Sequence, residues 1–134
     1  LQCNSLIQLI IAKYLVCNDI EEHIARIRDV YGSRCAVMLD ALQAELPPDV
    51  SFTRPEGGLF VWLTLPENIN ARDLLVKCLE KNVAFVPGGA FFPNTSRENT
   101  LRMNFSNMPE PRIRDGVRRL GEALRLMRSN HQSL

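Results

Sequence analysis

The chain has 134 residues, of which 46% are hydrophobic, so it is long enough to bury one core of ordinary domain size. Its formal net charge of +1 at pH 7 gives no electrostatic reason to expect nucleic acid or an anionic membrane as a partner. No apolar run approaches the length of a membrane span and no secretory leader pattern opens the chain, so we expect a soluble, cytoplasmic protein.

The first third of the chain has the pattern of two helices. Ser5 to Val16 is apolar with few polar breaks, which predicts a helix that has neighbours on several sides. Asp19 and Glu22 then have the spacing of a helix N-cap and its reciprocal partner, and apolar residues at helical spacing predict a long helix from Ile20 to about Leu46. Because the apolar pattern begins at once, we expect residues 1–18 to lead from a missing domain, which would make the chain a piece of a longer protein.

The rest of the chain alternates strand-like and helix-like segments. Runs of apolar, β-branched and aromatic residues bounded by Pro, Gly, Asn and Ser predict four strands: Val50 to Arg54, Leu59 to Leu65, Val83 to Val86 and Leu101 to Phe105. Asn70 is placed to cap a helix that runs to Glu80, and Asn82 suits the left-handed position after it. A last helix opens at Pro109 or Pro111, and the tail 129–134 is expected to fray.

The order of these elements predicts the fold class. Two helices, two strands, a helix, two strands and a helix indicate an α+β fold, in which a small, mostly antiparallel sheet has helices packed on one side and is preceded by a long helix. The almost continuous apolar run Leu59 to Leu65 is typical of a strand covered on both faces, and Trp62 within it is most simply a core residue. We therefore treat residues 1–134 as one domain.

The cysteines and histidines give no sign of a metal centre or a disulfide framework. The four cysteines are scattered, form no C-x-x-C pair and lie among aliphatic residues of predicted helices: Cys3, Cys17, Cys35 and Cys78. Buried free thiols are the favoured interpretation. His23 and His131 are far apart and without companions, so we expect them to be solvated and predict no metal site.

One arginine stands out in the last predicted strand. Alternation of side chains separates a polar face from an apolar one, with Arg102, Asn104 and Ser106 on the first and Leu101, Met103 and Phe105 on the second. A guanidinium beside an amide and a hydroxyl is a candidate carboxylate receptor, because its fixed fork of donors matches two carboxylate oxygens. On spacing alone, however, a solvated arginine, or one paired with Glu98 or Glu110, is the more common arrangement.

The segment Pro87-Gly88-Gly89 after the third predicted strand is a turn signal. Proline fixes one dihedral there, and glycine permits positive φ or a close approach of the backbone to a ligand. The run continues into Phe91 and Phe92 and lacks glycines at the offsets of a nucleotide-binding loop, so we exclude that interpretation.

Three stretches, in one order, carry a resemblance to a known family. They are residues 54–62, RPEGGLFVW; residues 83–88, VAFVPG, with Phe91 and Phe92; and residues 99–106, NTLRMNFS. The chain resembles, over essentially its whole length, the C-terminal small domain of fold-type-I, pyridoxal-phosphate-dependent aminotransferases of class I/II. It is most similar to the branch that contains 2-aminoadipate and kynurenine aminotransferases and the MocR-type regulators, in which an aminotransferase-like domain is fused to a winged helix.

The resemblance implies roles for particular residues. In that family the arginine of the L-R-x-N-F-S strand binds the α-carboxylate of the amino-acid substrate, which here implies that role for Arg102 and reverses the order of the alternatives above. Weaker implied substrate-binding candidates are Gly58, Phe60, Pro87 and Asn104.

The resemblance also implies a cofactor that this chain does not attach. The lysine, the aspartate and most of the phosphate-binding residues that hold the family's pyridoxal phosphate belong to its large domain. Lys13, Lys77 and Lys81 lack that lysine's sequence context. We therefore assign no catalytic and no cofactor-binding residue, and we expect the chain alone to be inactive.

The implied parent protein is a homodimer that transfers an amino group between an amino acid and a 2-oxo acid. The alternative is the ligand-sensing domain of a MocR-type transcriptional regulator, and a winged-helix segment upstream would favour it. A freestanding interaction module is disfavoured by the apolar start of the chain, through which we expect the isolated chain to self-associate.

Overall fold

A computed structural model describes residues 4–92 and 97–131, with the side chains of residues 130 and 131 excepted. The chain folds as two compact units, Leu1–Gly32 and Ser33–Leu134. The predictions made for Cys3, for the side chain of His131 and for the end of the tail lie outside the described residues.

The first unit contains helix α1 (Ser5–Cys17) and the beginning of helix α2 (Ile20–Glu45). The Oδ1 of Asn4 accepts the N–H of Leu6 at 3.0 Å and so caps α1. The predicted cap of α2 is confirmed, because Asp19 Oδ1 accepts the N–H groups of the residues two and three positions on, at 3.0 and 3.1 Å. Eight apolar or aromatic side chains of α1 are between 48% and 84% exposed: Leu6, Ile7, Leu9, Ile10, Ile11, Tyr14, Leu15 and Val16.

The second unit is built on a four-stranded antiparallel sheet. Its strands are β1 (Ser51–Phe52), β2 (Phe60–Thr64), β3 (Val86–Pro87) and β4 (Thr100–Asn104), in the spatial order β1-β2-β4-β3. Helix α3 (Ala71–Glu80) joins β2 to β3, a 3₁₀ turn (Gly88–Phe91) follows β3, and helix α4 (Glu110–His131) follows β4. The predicted α+β class and antiparallel sheet are confirmed.

The two faces of the sheet differ in burial. Val61 and Leu63 of β2 and Leu101 of β4 are fully buried, and they form one core with side chains of α2, α3 and α4, among them Leu42, Leu74, Leu120 and Leu124. The residues that alternate with them in β2 and β4 point the other way and are half-buried or exposed, apart from a buried threonine at the start of β4. Helices therefore cover one face, and the opposite face carries the candidate site.

Two strand predictions need correction. The segment Val83 to Val86 pairs in the sheet only from Val86 onward, because the N–H of Val83 is bonded to Cys78 O at 2.9 Å and so belongs to the end of α3. The run Leu59 to Leu65 is covered on one face rather than both, and Trp62 is half-buried rather than part of the core.

The three cysteines that the structure describes are free thiols, but the expectation of burial holds for only one of them. Cys78 is buried, Cys35 is half-buried, and Cys17 at the end of α1 is exposed. Burial raises the pKa of Cys78 to about 11, against a small lowering by the charge of Lys81, and burial also raises the pKa of Cys35. In the described ranges, 4–92 and 97–131, no group of His, Cys, Asp and Glu is suited to hold a metal ion.

Helix α4 is fixed to the rest of the second unit by arginine side chains. Arg119 donates to the carbonyl of Lys81 at 2.9 Å and pairs with Asp115 at 2.6 Å. Arg125 donates to the carbonyl of Glu45 at 3.2 Å, at the end of α2.

None of the described helices combines the length and the hydropathy that crossing a bilayer requires.

Candidate carboxylate-binding site

Arg102 lies at the centre of β4 on the sheet face opposite the core. The strand register places it beside Trp62 of β2 and Val86 of β3. Its neighbours along the strand, Leu101 and Met103, point into the core, so the arginine must point outward. The side chain is half-buried there, which confirms the alternation expected from the sequence.

Two phenylalanine rings flank the guanidinium of Arg102. Its Cζ lies 4.2 Å from the ring centroid of Phe60, which comes from β2, and 4.6 Å from that of Phe91, which comes from the turn after β3. Because β2 and β3 are the two neighbours of β4, the rings reach the arginine from its two sides. Both distances are within the range of cation–π attraction.

Arg102 forms no ion pair with any residue that the structure describes. Of the two partners considered from the sequence, Glu98 Oε2 lies 3.4 Å from Arg72 Nε, and Glu110 accepts the hydroxyl of Ser33 at 2.5 Å. The Nε of Arg102 is buried and has no hydrogen-bond partner in the described part of the chain. A half-buried cation without an acidic partner among the described residues suits an anionic ligand.

The polar residues that follow Arg102 shape the end of the strand. Asn104 Oδ1 accepts the N–H of Ser106 at 2.8 Å, its hydroxyl at 2.9 Å, and the N–H of Asn107 at 3.2 Å. The Ser106 hydroxyl is thus used within the turn. The side-chain nitrogen of Asn104 donates to no described residue, and its contact with a substrate stays a prediction.

The turn that carries Phe91 depends on a glycine. A Cβ at Gly88 would overlap the hydroxyl of Thr100 and would lie 2.9 Å from the Thr100 Cβ and 3.0 Å from Trp62 Cζ3. Glycine therefore allows the turn to lie directly on the sheet. In this position Phe91 and Phe92 contact Trp62 edge-on, with ring centroids 5.7 and 6.0 Å apart.

The structure gives the two other predicted pocket residues mainly backbone roles. Gly58 has φ of 78° and nothing within 4 Å of its would-be Cβ, so it serves as a turn residue before β2. Pro87 is half-buried, pairs with Leu101 in the sheet and precedes the 3₁₀ turn. Contact of either residue with a substrate stays a prediction.

Reasoning from the sequence did not assign Phe91, Trp62 or Gly88 to the site. Trp62 could have been found, because it occupies an alternate position of a strand that pairs with β4. The position of Phe91 depends on a 3₁₀ turn that the glycines make possible but do not specify. The close approach of Gly88 to Thr100 depends in turn on strand register, which local sequence does not state.

The residues around Arg102 suit a carboxylate and do not form a pyridoxal phosphate site. Attachment of that cofactor requires a lysine amine near the ligand. Within the described part of the second unit, Lys77 pairs with Glu80 at 3.5 Å and Lys81 with Glu122 at 3.4 Å, and the strands around Arg102, β2, β3 and β4, contain no lysine. No step through the cofactor can therefore be assigned to the described residues of the second unit.

Comparison with known proteins identifies related chains. The family model of aminotransferase class I and II matches residues 4–120. A 2-aminoadipate transaminase of Thermus thermophilus is 47% identical over 111 residues, which are 83% of this chain and 28% of that protein. Aromatic-amino-acid aminotransferase 1 of Thermococcus litoralis is 43% identical over 122 residues, which are 91% of this chain and 29% of that protein.

Solved structures and regulators extend the comparison. The structure of an alpha-aminoadipate aminotransferase of Thermus thermophilus, complexed with N-(5'-phosphopyridoxyl)-L-leucine, matches with a TM-score of 0.82 at 45% identity over 86% of this chain and 30% of that one. An uncharacterised HTH-type transcriptional regulator of Escherichia coli is 24% identical over 117 residues, 87% of this chain and 25% of that protein. The chain thus spans less than a third of the length of these relatives.

Proposed function

Because the chain belongs to the aminotransferase class I and II family, we propose that it forms the substrate-binding C-terminal part of a pyridoxal-phosphate-dependent aminotransferase. The parent protein would transfer an amino group between an amino acid and a 2-oxo acid. Its cofactor would be held by a lysine outside this chain, so the chain alone would be inactive. Similarity to two curated aminotransferases at 43% and 47% identity supports the proposal.

The observation that carries the proposal is the environment of Arg102. The guanidinium lies between two phenylalanine rings on the open sheet face, has no acidic partner among the described residues, and has a buried, unpaired Nε. Amino acids and 2-oxo acids both have a carboxylate attached directly to the carbon that carries the amino or oxo group. A single arginine can therefore anchor both substrates in the same orientation through two parallel hydrogen bonds.

The role of Arg102 in this proposal is positioning and charge pairing. The guanidinium offers a fixed fork of hydrogen-bond donors and a positive charge, which match a carboxylate. By fixing the carboxylate, it would fix where the amino or oxo group of the substrate lies. The contribution should appear mainly in the affinity for substrates that have the carboxylate.

Kinetics of the complete protein that contains this chain test the proposal. Arg102→Ala should lower kcat/KM for an L-amino acid by about 30-fold to 5,000-fold, because truncating one partner of a desolvated charge pair costs about 2–5 kcal/mol. The visible absorbance of bound pyridoxal phosphate should persist. Arg97→Ala is the matched control, since Arg97 also contacts a phenylalanine ring, with its Cζ 5.3 Å from the centroid of Phe92, but is exposed. An unchanged KM in Arg102→Ala would contradict the proposal.

The second candidate function is ligand sensing in a MocR-type transcriptional regulator. It is favoured by the similarity to an HTH-type regulator, which at 24% is lower than that to the curated enzymes. Both functions use Arg102 in the same way. A winged-helix segment in the complete reading frame, together with no release of 2-oxo acid from any amino acid tested, would select the regulator.

Homodimer assembly is implied by the family resemblance and a cytoplasmic location is expected from the sequence, and both stay predictions. We propose that the parent is a cytoplasmic homodimer. The isolated chain should self-associate through α1, because the helix has eight exposed apolar or aromatic side chains. Sedimentation at several concentrations tests this, and a monomer at all of them would contradict it.

A further inference from the structure

We propose that Phe60 and Phe91 are positioning residues that clamp the Arg102 guanidinium, so that a substrate carboxylate can reach it only along its hydrogen-bonding edge. The inference rests on the proposed function, because it takes the ligand of Arg102 to be a carboxylate. It adds two residues that act through Arg102 and that need not touch the substrate.

The shape of a guanidinium limits the directions from which it can bind an anion. The N–H groups of a guanidinium all lie in its plane, and its faces donate no hydrogen bond. The rings of Phe60 and Phe91 lie next to the guanidinium, with their centroids 4.2 and 4.6 Å from Cζ. In the proposed clamp they cover its faces and leave open an edge that can bind a carboxylate with two parallel hydrogen bonds.

The charge of Arg102 also favours an anionic ligand. Arg102 is withdrawn from water without a carboxylate partner in the described part of the chain, and its Nε is buried and unpaired. The two ring faces partly offset that loss of hydration, because aromatic faces attract cations, but they satisfy none of its donors. The cation therefore still lacks a charge partner, which a carboxylate ligand would supply at the exposed part of the guanidinium.

The backbone of β2 and of the 3₁₀ turn determines where the Phe60 and Phe91 side chains start. Phe60 lies in β2 and pairs with Asn104 in the sheet. Phe91 lies in a turn that packs on β4 at Gly88, and its ring contacts the edge of Trp62 at 85°. An arginine side chain has many rotamers, and fixing the rings restricts which of them Arg102 can adopt.

Binding of a matched pair of ligands tests the clamp. The complete protein, freed of cofactor, is titrated with N-(5'-phosphopyridoxyl)-L-leucine and with N-(5'-phosphopyridoxyl)-3-methylbutylamine, which differs only in lacking the carboxylate. The ratio of the two Kd values is the carboxylate preference. We expect Phe60→Leu and Phe91→Leu each to reduce that preference by about 10-fold, because a misplaced positioning group commonly costs that much or more. Phe60→Tyr and Phe91→Tyr should restore it, since tyrosine keeps the ring face.

The control is Phe52→Leu, because Phe52 also lies under an arginine, with Arg54 Cζ 5.7 Å from its centroid, but outside the site. It should leave the preference unchanged. Equal preferences in wild type, Phe60→Leu and Phe91→Leu, with the preference lost in Arg102→Met, would overturn the clamp and leave the proposed function standing. A wild-type protein with no carboxylate preference would overturn both.

A measurement on the wild-type protein covers the case in which a leucine variant fails to fold. In a protein labelled with ¹⁵N-arginine, the side-chain N–H signal of Arg102, assigned by its absence in Arg102→Lys, should be shifted upfield by the two ring faces. A signal at the position typical of solvated arginines would overturn the proposal.

Discussion

Gly88→Ala tests the packing on which the candidate site is built. The new Cβ would overlap the Thr100 hydroxyl and lie 2.9 Å from the Thr100 Cβ, about 0.6 Å closer than the best separation of two carbon atoms. Thr100 cannot easily turn away, because it is 5% exposed and its hydroxyl donates to the carbonyl of Arg97 at 3.0 Å. Overpacking of this kind costs about 1–3 kcal/mol, and loss of the hydrogen bond costs about 1 kcal/mol more.

The expected loss of unfolding free energy is therefore about 2–4 kcal/mol, measured by denaturant unfolding of the chain. Gly57→Ala is the matched control, because nothing lies within 4 Å of its would-be Cβ and its φ is not positive. Adding Thr100→Ala to Gly88→Ala should recover part of the loss, since the two sites are in contact. A Gly88→Ala chain within about 0.5 kcal/mol of the Gly57→Ala chain would refute the reasoning.

Three further predictions concern stability. Gly121→Ala should destabilise the chain by about 1–3 kcal/mol, because the new Cβ would lie 2.8 Å from the carbonyl oxygen of Glu45. Gly116→Ala in the same helix has open space around the new Cβ and should stabilise the chain by about 0.5–1 kcal/mol. Equal effects of the two substitutions in a melting experiment would contradict this prediction. Because the folded pKa of Cys78 is raised to about 11 from 9.0, stability should fall as pH rises from about 9 to 11, by up to about 3 kcal/mol from this group. The fall should be smaller in Cys78→Ala, where Cys35, whose pKa burial also raises, still contributes; an identical fall in the variant would refute the prediction. Arg102→Met should leave the unfolding free energy within about 1 kcal/mol of wild type, because lost cation–π attraction and a removed unpaired donor nearly cancel, and a loss above about 2 kcal/mol would mean that Arg102 has a structural role.

Much of the fold could be predicted because local signals and burial agree. Asn70 caps α3, with its Oδ1 accepting the N–H of Arg72 at 2.8 Å, and Asn82 after α3 has φ of 56°. These positions depend only on helix ends, which the sequence marks directly. The polar face of β4 was predictable for a similar reason, since strand alternation leaves no other arrangement.

The wrong predictions concern residues whose apolar surroundings in the sequence did not show where they lie in the fold. Val83 and Phe85 are each 7% exposed, so their apolar character is real, but it reflects burial beside α3 rather than pairing in the sheet. Trp62 looked like core because its strand is apolar throughout, yet its ring is on the site face with Phe91. Cys17 is exposed at the end of α1, where aliphatic neighbours suggested burial. An apolar sequence pattern does not show which other element of the fold, if any, covers those side chains.

Measuring how strongly the complete protein prefers a ligand with a carboxylate, with and without Arg102, tests the central claim most directly. The complete protein, freed of cofactor, is titrated with N-(5'-phosphopyridoxyl)-L-leucine and its analogue without the carboxylate, as wild type and as Arg102→Met. The account predicts that wild type prefers the carboxylate ligand by about 30-fold to 5,000-fold and that Arg102→Met has almost no preference, a coupling of about 2–5 kcal/mol. The same preference in both proteins would mean that another group binds the carboxylate.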